Sequence, residues 1–346
     1  MHTHIIAGGA DDRTFQVMVE DVPRRKADHL RVAAGPGVLH AGGPGLEGIR
    51  LRHRALPGRD LDAVSLETQL LGRSLGAPLM ISAMTGGTAE AEAINADLAA
   101  AAARHGVAMT LGSGRALLED PSLQRTYRSV DRPPLLLANL GGVGLDPALA
   151  AQLVELLDAD GLSVHLNPIQ EAVQPEGEPA FADVLDRIAA AVAALAPLPV
   201  VVKEVGFGMD PEDVATLVGA GVAAVDVAGA GGTNWALVEG RRDVRAGAVA
   251  SAFADWGVPT ARALAGARAV APDLPLVASG GVTDGVAAAT FLALGADAAG
   301  IARPLLIAAR EGRAAETLGV IKRQLQIATW AAGAPSSVAL GPEHLA

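Results

Sequence analysis

The chain has 346 residues, half of them apolar, and its 27 basic and 38 acidic residues leave a net charge of −11. That balance argues against a nucleic-acid partner, which needs a basic face, so an anionic ligand must be met by a local basic cluster. With no cysteine in the chain, disulfides, thiolate metal sites and a cysteine nucleophile are excluded.

The length suits one α/β barrel better than two average domains. Three Trp, one Tyr and five Phe leave the core to Ala, Val and Leu. No secretory pattern opens the sequence. The longest apolar run, 188–202, is broken by Pro197 and Pro199 and falls short of the ~18–20 residues a membrane span needs. The expectation is a cytoplasmic protein with no membrane partner.

Residues 1–75 show no β/α alternation. They carry Arg24, Arg25, Lys26 and His29, then a Gly/Pro-rich stretch over 35–48. This reads as an N-terminal extension with a mobile loop. From Pro78 a rhythm begins. Continuous apolar runs at 79–83, 107–111, 135–139, 161–165, 200–204, 223–227, 276–279 and 298–302 read as strands. The segments 90–105, 121–129, 147–158, 182–195, 211–219, 259–270, 286–294 and 305–329 read as helices, several with Pro at the first position, where its missing N–H costs nothing. Strands apolar on both faces belong to a parallel sheet. Eight right-handed βα units close most simply into a (β/α)8 barrel, with an open doubly wound sheet as the alternative. The stretch 229–258 is then an insert, a candidate lid, between the sixth and seventh strands, and the whole chain, 1–346, is one domain.

Barrel chemistry sits after the strands, at their C-terminal ends. There the first strand delivers Ala83, Met84, Thr85, Gly86 and Gly87; the second delivers Gly112, Ser113, Gly114 and Arg115; the third delivers Asn139. The fourth delivers His165, Asn167, Gln170 and Glu171, within about ten to fifteen Å of each other at a rise of ~3.3 Å per residue. The fifth ends in Lys203, the sixth in Asp226 and a glycine-rich run to Thr233, Asn234 and Trp235. The turns holding Gly280 and Gly281, and Ala302 and Arg303, are placed to hold a phosphate with backbone N–H groups. Lys203, flanked by valines, faces a cavity, and Glu171 is a hard oxygen ligand suited to Mg²⁺ shared with a diphosphate. His2, His4, His40, His53, His105 and His344 lack metal-ligand spacing and read as structural or surface residues.

These pieces resemble the type 2, FMN-dependent isopentenyl diphosphate isomerases. The segments that carry the likeness include Arg25-Lys26 with His29, Met84-Thr85-Gly86-Gly87, His165-x-Asn167-x-x-Gln170-Glu171, Lys203-Glu204-Val205-Gly206, Ala228-Gly229-Ala230-Gly231-Gly232-Thr233 and Ser279-Gly280-Gly281. The resemblance implies a barrel that binds FMN and Mg²⁺ and interconverts isopentenyl and dimethylallyl diphosphates, with NADPH reducing the flavin. By matching position, it puts FMN against Ala83, Met84, Thr85, Ser113, Asn139, Lys203, Thr233, Gly280, Gly281, Ala302 and Arg303. It puts the substrate diphosphate against Arg25, Lys26, His29, Arg115, His165 and Asn167, Mg²⁺ on Glu171, and Gln170, Trp235 and Glu239 beside the allylic group. Gln170, Lys203, Trp235 and Glu239 are the catalytic candidates. Ala228 stands where many relatives carry Ser, which removes one hydroxyl contact to the flavin. Family habit implies a homo-oligomer, tetramer or octamer. The competing readings are a 2-hydroxy acid oxidase or dehydrogenase on the same barrel, whose late His-Gly-Gly-Arg segment is missing here, and a flavin-binding barrel without catalysis.

Overall fold

The structure, a computed structural model, describes residues 24–346; His2 and His4 lie outside them. Helix α1, 24–34, is followed by a long irregular segment and a short antiparallel hairpin, β1 (Thr68–Leu70) and β2 (Arg73–Leu75). Leu71 and Gly72 turn the hairpin at φ of 51° and 76°, the handedness that a two-residue hairpin turn requires. Eight parallel strands then close into a barrel in the order β10-β3-β4-β5-β6-β7-β8-β9. They are β3 (Leu79–Ile81), β4 (Ala108–Thr110), β5 (Leu136–Gly141), β6 (Gly161–Leu166), β7 (Val200–Glu204), β8 (Ala224–Asp226), β9 (Leu276–Ala278) and β10 (Ala298–Ile301). Every apolar run expected to be a strand is one. Closure is made by β10 on β3, with Ala299 opposite Leu79 and Ile301 opposite Ile81.

The outer helices are α2 (Ala89–His105), α3 (Arg115–Glu119), α4 (Pro147–Leu157), α5 (Pro168–Val173), α6 (Val184–Leu195) and α7 (Pro211–Gly219). They continue as α8 (Trp235–Arg242), α9 (Val244–Ala250), α10 (Thr260–Val270), α11 (Gly285–Ala293), α12 (Arg303–Ala309) and α13 (Ala314–Ala332). The side chains of Thr88, Asp146, Asp210 and Asp284 cap the starts of α2, α4, α7 and α11 by accepting their first free amides.

Two expected helices differ. The one expected over 121–129 is a 3₁₀ segment, Pro121–Thr126, preceded by α3. Pro121 pushes Asp120 out of the helical region, to φ −136° and ψ 96°, and that breaks the chain direction between the two pieces. The one expected over 305–329 is two helices, parted at Gly312, which takes a φ of 67°.

The N-terminal extension closes both ends of the barrel. At the bottom, Leu70 and Leu75 of the hairpin pack against Met80, Leu135, Leu137, Val201 and Val277, which fill the interior. At the top, the glycine-rich stretch over 35–48, expected to be a mobile loop, is tied to the insert and to the start of α10. His40 N donates to Gly232 O at 3.0 Å, Asn234 N to Val38 O at 2.7 Å, and Ala261 N to Pro44 O at 3.0 Å. Among the described residues no helix is long and apolar enough to cross a membrane.

Because the hairpin plugs the interior, Leu75→Ala should lower the stability of the whole barrel by about 2–5 kcal/mol, the usual cost of a large-to-small core change. Chemical denaturation followed by circular dichroism should show a lower midpoint and an unchanged native spectrum.

Candidate active site

The C-terminal ends of the strands, roofed by α1 and the first turn of α8, enclose a cavity of about 300 Å³. One end is built from backbone. Gly280 and Gly281 follow β9 at φ of 97° and 89°, where L side chains are strained, and a Cβ on either would lie 2.0 Å from Gly229 O or 2.7 Å from Gly231 O. Thr260 Oγ1 pins this turn by donating to Gly280 O at 2.5 Å. Gly232, Thr233, Ala302 and Arg303 complete the same end. The Arg303 guanidinium turns the other way. It donates to the carbonyls of Ala33, Ala34 and Gly35 at 2.9–3.0 Å and so caps the C-terminal end of α1. Only the part of Arg303 nearest the backbone is left to frame the cavity.

The middle is lined by Ser82, Ala83, Met84, Thr85, Asn139, His165 and Lys203. The Ser82 hydroxyl is buried and has no partner among the described residues. Lys203 Nζ donates to the Glu204 carbonyl and lies 3.9 Å from Asp226 Oδ2. Burial pushes the Asp226 carboxyl up, against the pull of Lys203 and of the Ser279 hydroxyl, which donates to it at 2.7 Å. The Glu204 carboxyl is raised by burial to about 7, although the amides of Val205, Gly206 and Phe207 all donate to it. A side-chain-free turn for a phosphate, an unpartnered hydroxyl and a lysine at mid-length suit a flavin mononucleotide, with the lysine available to a ring edge.

His165 sits with Nδ1 2.7 Å from Asn139 Oδ1, while Asn139 Nδ2 is directed at the Ser163 hydroxyl at 3.4 Å. This pattern makes Nδ1 the protonated nitrogen. Burial, and next the charge of Lys203, lower the imidazole to about 4, so it is neutral at pH 7. Its Nε2 can donate to a phosphate oxygen only after taking up a proton.

The other end holds a buried polar cluster. Glu239, on α8, is 0% exposed. It accepts from Gln170 Nε2 at 2.6 Å and from Arg242, and His29 Nε2 of α1 lies 2.8 Å away, off the N–H axis. Burial pushes the Glu239 carboxyl up, but His29, Gln170 and Arg242 together outweigh it and hold the group below its ordinary range. Arg242 also reaches Glu176 at 2.7 Å. Trp235, the first residue of α8, stands edge-on to His29 with ring centres 5.5 Å apart.

Of the residues expected at the site, Lys26, His29, Gln170 and Trp235 line the cavity with the backbone and middle groups above. Five do not. Asn167 turns inward to Gln170 Oε1 and Glu171 Oε1, at 3.2 and 2.9 Å. Glu171 accepts a further bond from Glu178 N at 2.9 Å. Glu239 stands behind Gln170. Arg25 is half-buried on α1, and the exposed Arg115 pairs with Glu119 at 3.4 Å. Among the described residues no three His, Asp or Glu side chains converge as a metal site.

Tyr127 escaped the sequence reading. Its hydroxyl donates to Ser113 O at 2.7 Å and accepts from Lys26 Nζ at 2.9 Å. Burial, and next Arg25, lower the Lys26 ammonium to about 8, against the pull of Glu119. A lone tyrosine in a chain with 3% aromatics, near Ser113 in sequence, was the available signal.

The sequence pattern of the FMN-dependent dehydrogenase family matches residues 20–120 and 166–346. The chain is 50% identical over 305 residues to an isopentenyl-diphosphate delta-isomerase of Synechococcus, covering 85% of this chain and 87% of that one. It is 49% identical over 330 residues to the isopentenyl-diphosphate delta-isomerase of Xanthobacter autotrophicus, covering 92% and 95%. Among solved structures, an active chimera of (S)-mandelate dehydrogenase superposes with a TM-score of 0.68 at 18% identity, over 96% of this chain and 98% of that one. A flavocytochrome b2 does so with 0.66 at 17%, over 96% and 85%; at such identity these two speak for the barrel alone. With a glycine cradle, a mid-cavity lysine and about half of the aligned residues shared with those isomerases, the chain belongs to the isopentenyl-diphosphate delta-isomerases, built on the barrel of the FMN-dependent dehydrogenases.

Proposed function

We propose that this protein interconverts isopentenyl and dimethylallyl diphosphates in isoprenoid biosynthesis, with FMN reduced by NADPH and with Mg²⁺ as its helpers. The observation that carries the reading is a missing acid. Among the described residues lining the cavity none is a carboxylate, and the one imidazole in the middle is neutral at pH 7. Protonating an unactivated alkene needs a strong, well-placed acid. Reduced FMN, when bound, supplies that proton donor and acceptor.

The chain's own residues then bind, orient and exclude water. Gly280, Gly281, Thr233, Ala302 and the Arg303 backbone hold the cofactor phosphate, and Ala83, Met84, Thr85, Ser113 and Asn139 flank the rest of it. Lys203 offsets negative charge near the ring. Lys26, His29 and His165 meet the diphosphate inside the cavity, and Arg25, Arg115 and Asn167 support it from the rim. Glu171, whose carboxylate accepts from Asn167 and Glu178 outside the cavity, would hold Mg²⁺ with waters and substrate phosphate oxygens by turning toward the diphosphate. Gln170, with its amide nitrogen committed to Glu239, orients the alkene, and the Trp235 ring face favours positive charge developing on carbon. The reaction has no net redox change, so the reductant only primes the cofactor.

A 2-hydroxy acid oxidoreductase on this barrel needs a base and a carboxylate-binding arginine late in the barrel. Here that turn reads Ser279, Gly280, Gly281, Val282. Exposed apolar side chains on the insert, Val244, Val249 and Trp256, support a homo-oligomer, tetramer or octamer. The charged, water-soluble substrate fits a cytoplasmic enzyme.

Purified protein should carry yellow FMN and be inactive under air with the oxidised cofactor. After anaerobic reduction by NADPH it should turn isopentenyl diphosphate into the allylic isomer; turnover without any reductant would overturn the acid–base role of the flavin.

Glu171→Gln should raise the Mg²⁺ concentration for half-maximal rate by about tenfold or more, the usual loss when a metal's ligand shell is damaged; a rate-against-Mg²⁺ titration measures it.

Because His165 is held near 4 and is neutral at pH 7, its hold on a diphosphate should strengthen only as pH falls toward that value. Calorimetry in two buffers of different ionisation heat should show proton uptake on pyrophosphate binding at about pH 5, smaller in His165→Gln and small at pH 7.

A further inference from the structure

We infer that Tyr127 is a positioning residue for the substrate diphosphate, acting through Lys26: its hydroxyl holds the ammonium charged and aimed into the cavity. The inference rests on the proposed role of Lys26 and adds a residue that role does not name.

The tyrosine has little freedom. It is the chain's only one and is 2% exposed. Its ring lies flush under Gly86, where an added Cβ would fall 1.9 Å from a ring carbon. With the ring fixed, the hydroxyl is fixed too. Its proton goes to Ser113 O, so its lone pairs face Lys26 Nζ. Ser113 O accepts from the same Nζ at 3.2 Å, and the ammonium stands 5.5 Å from the ring centre. Two of the three ammonium protons are thereby directed into the wall. The third is left for a ligand in the cavity that Lys26, Gly86 and Ser113 all line.

A purely architectural cluster would give this cation a counter-ion, because a buried charge needs one. Among the described residues both partners are neutral. Among the described residues the charged groups around it are Arg25 on its own helix, which opposes the charge, and Glu119 on α3, which favours it from a distance while pairing with Arg115. From the turn above it, Gly86 and Gly87 bring no charge. An anion entering the cavity supplies what the wall lacks.

The direction of the pH effect follows. The amine loses its proton as pH rises through about 8, and its hold on a diphosphate weakens above that. A hydrogen bond accepted from the N–H groups favours the charged form. Without the phenol oxygen, deprotonation comes at lower pH.

The test is Tyr127→Phe, which keeps the ring under Gly86, read against Lys26→Ala and the double variant. Each is loaded with FMN, and flavin content is checked by absorbance. In the tyrosine variant KM for isopentenyl diphosphate and Kd for inorganic pyrophosphate should rise about five- to tenfold, the loss typical of one hydrogen bond to a charged group. The alkaline limb of kcat/KM should move to lower pH. In the Lys26→Ala background the same substitution should add nothing, because it acts through the missing amine. If Lys26→Ala weakens pyrophosphate binding and Tyr127→Phe does not, or if their effects simply add, the inference fails and the reading of the site stands. If Lys26→Ala leaves pyrophosphate binding intact, the assigned role of Lys26 fails and takes the inference with it. Because the phenol is unique, 3-fluorotyrosine incorporation weakens the same acceptor without a change of packing. An alkaline limb that stays in place in the fluorinated protein would also overturn the inference.

Discussion

A carboxylate sealed from water must be paired, since an isolated buried charge is far too costly to keep. Glu239 is such a carboxylate, and its partners come from three separate parts of the chain: His29 from α1, Gln170 from α5 and Arg242 from its own α8. The requirement couples the N-terminal extension, the loop after the fourth barrel strand and the insert into one wall. Arg242 extends the coupling to Glu176, beyond α5. Remove the central charge and each of these groups loses the contact that tells it where to stand.

The sign of the charges follows from the same economy of space. The molecule is acidic overall, yet among the described residues the ionisable groups facing its cavity are Lys26, His29, His165 and Lys203. Carboxylates are kept one layer back, at Asp226, Glu204 and Glu239, where they hold cations or amides without meeting a ligand. An anion therefore meets a positive interior inside a negative particle. Among the described residues the same layering leaves no carboxyl group on the cavity wall, which favours chemistry carried by a cofactor.

The barrel was legible because strands buried on both faces are apolar at most positions, and eight such short runs recur between longer helical segments. The hairpin β1–β2 was not legible, because three-residue strands bearing Arg73 and Ser74 carry no period worth reading. Pro121 was read as a helix start, when its stronger effect is to forbid helix in the residue before it. At the site, residue type told more than direction. Gln170 and Glu171 are neighbours in sequence, but the helix that begins at Pro168 turns the first into the cavity and the second out of it. Tyr127 was harder still: its rarity marks it out, but its contact with Lys26, 101 residues away in the chain, has no local signature.

Arg303 spans two regions that the sequence keeps far apart. Its backbone frames the glycine-rich end, and its guanidinium clasps three successive carbonyls at the foot of α1. A planar fork can grip three acceptors at once, which the single ammonium of a lysine cannot match. The roof that bears Lys26 and His29 is thus hinged on the very residue against which a phosphate would rest. On the proposed seat of the nucleotide, the residue that would receive its phosphate is also the one that holds the roof, so loading the cofactor would bear on the shape of the doorway.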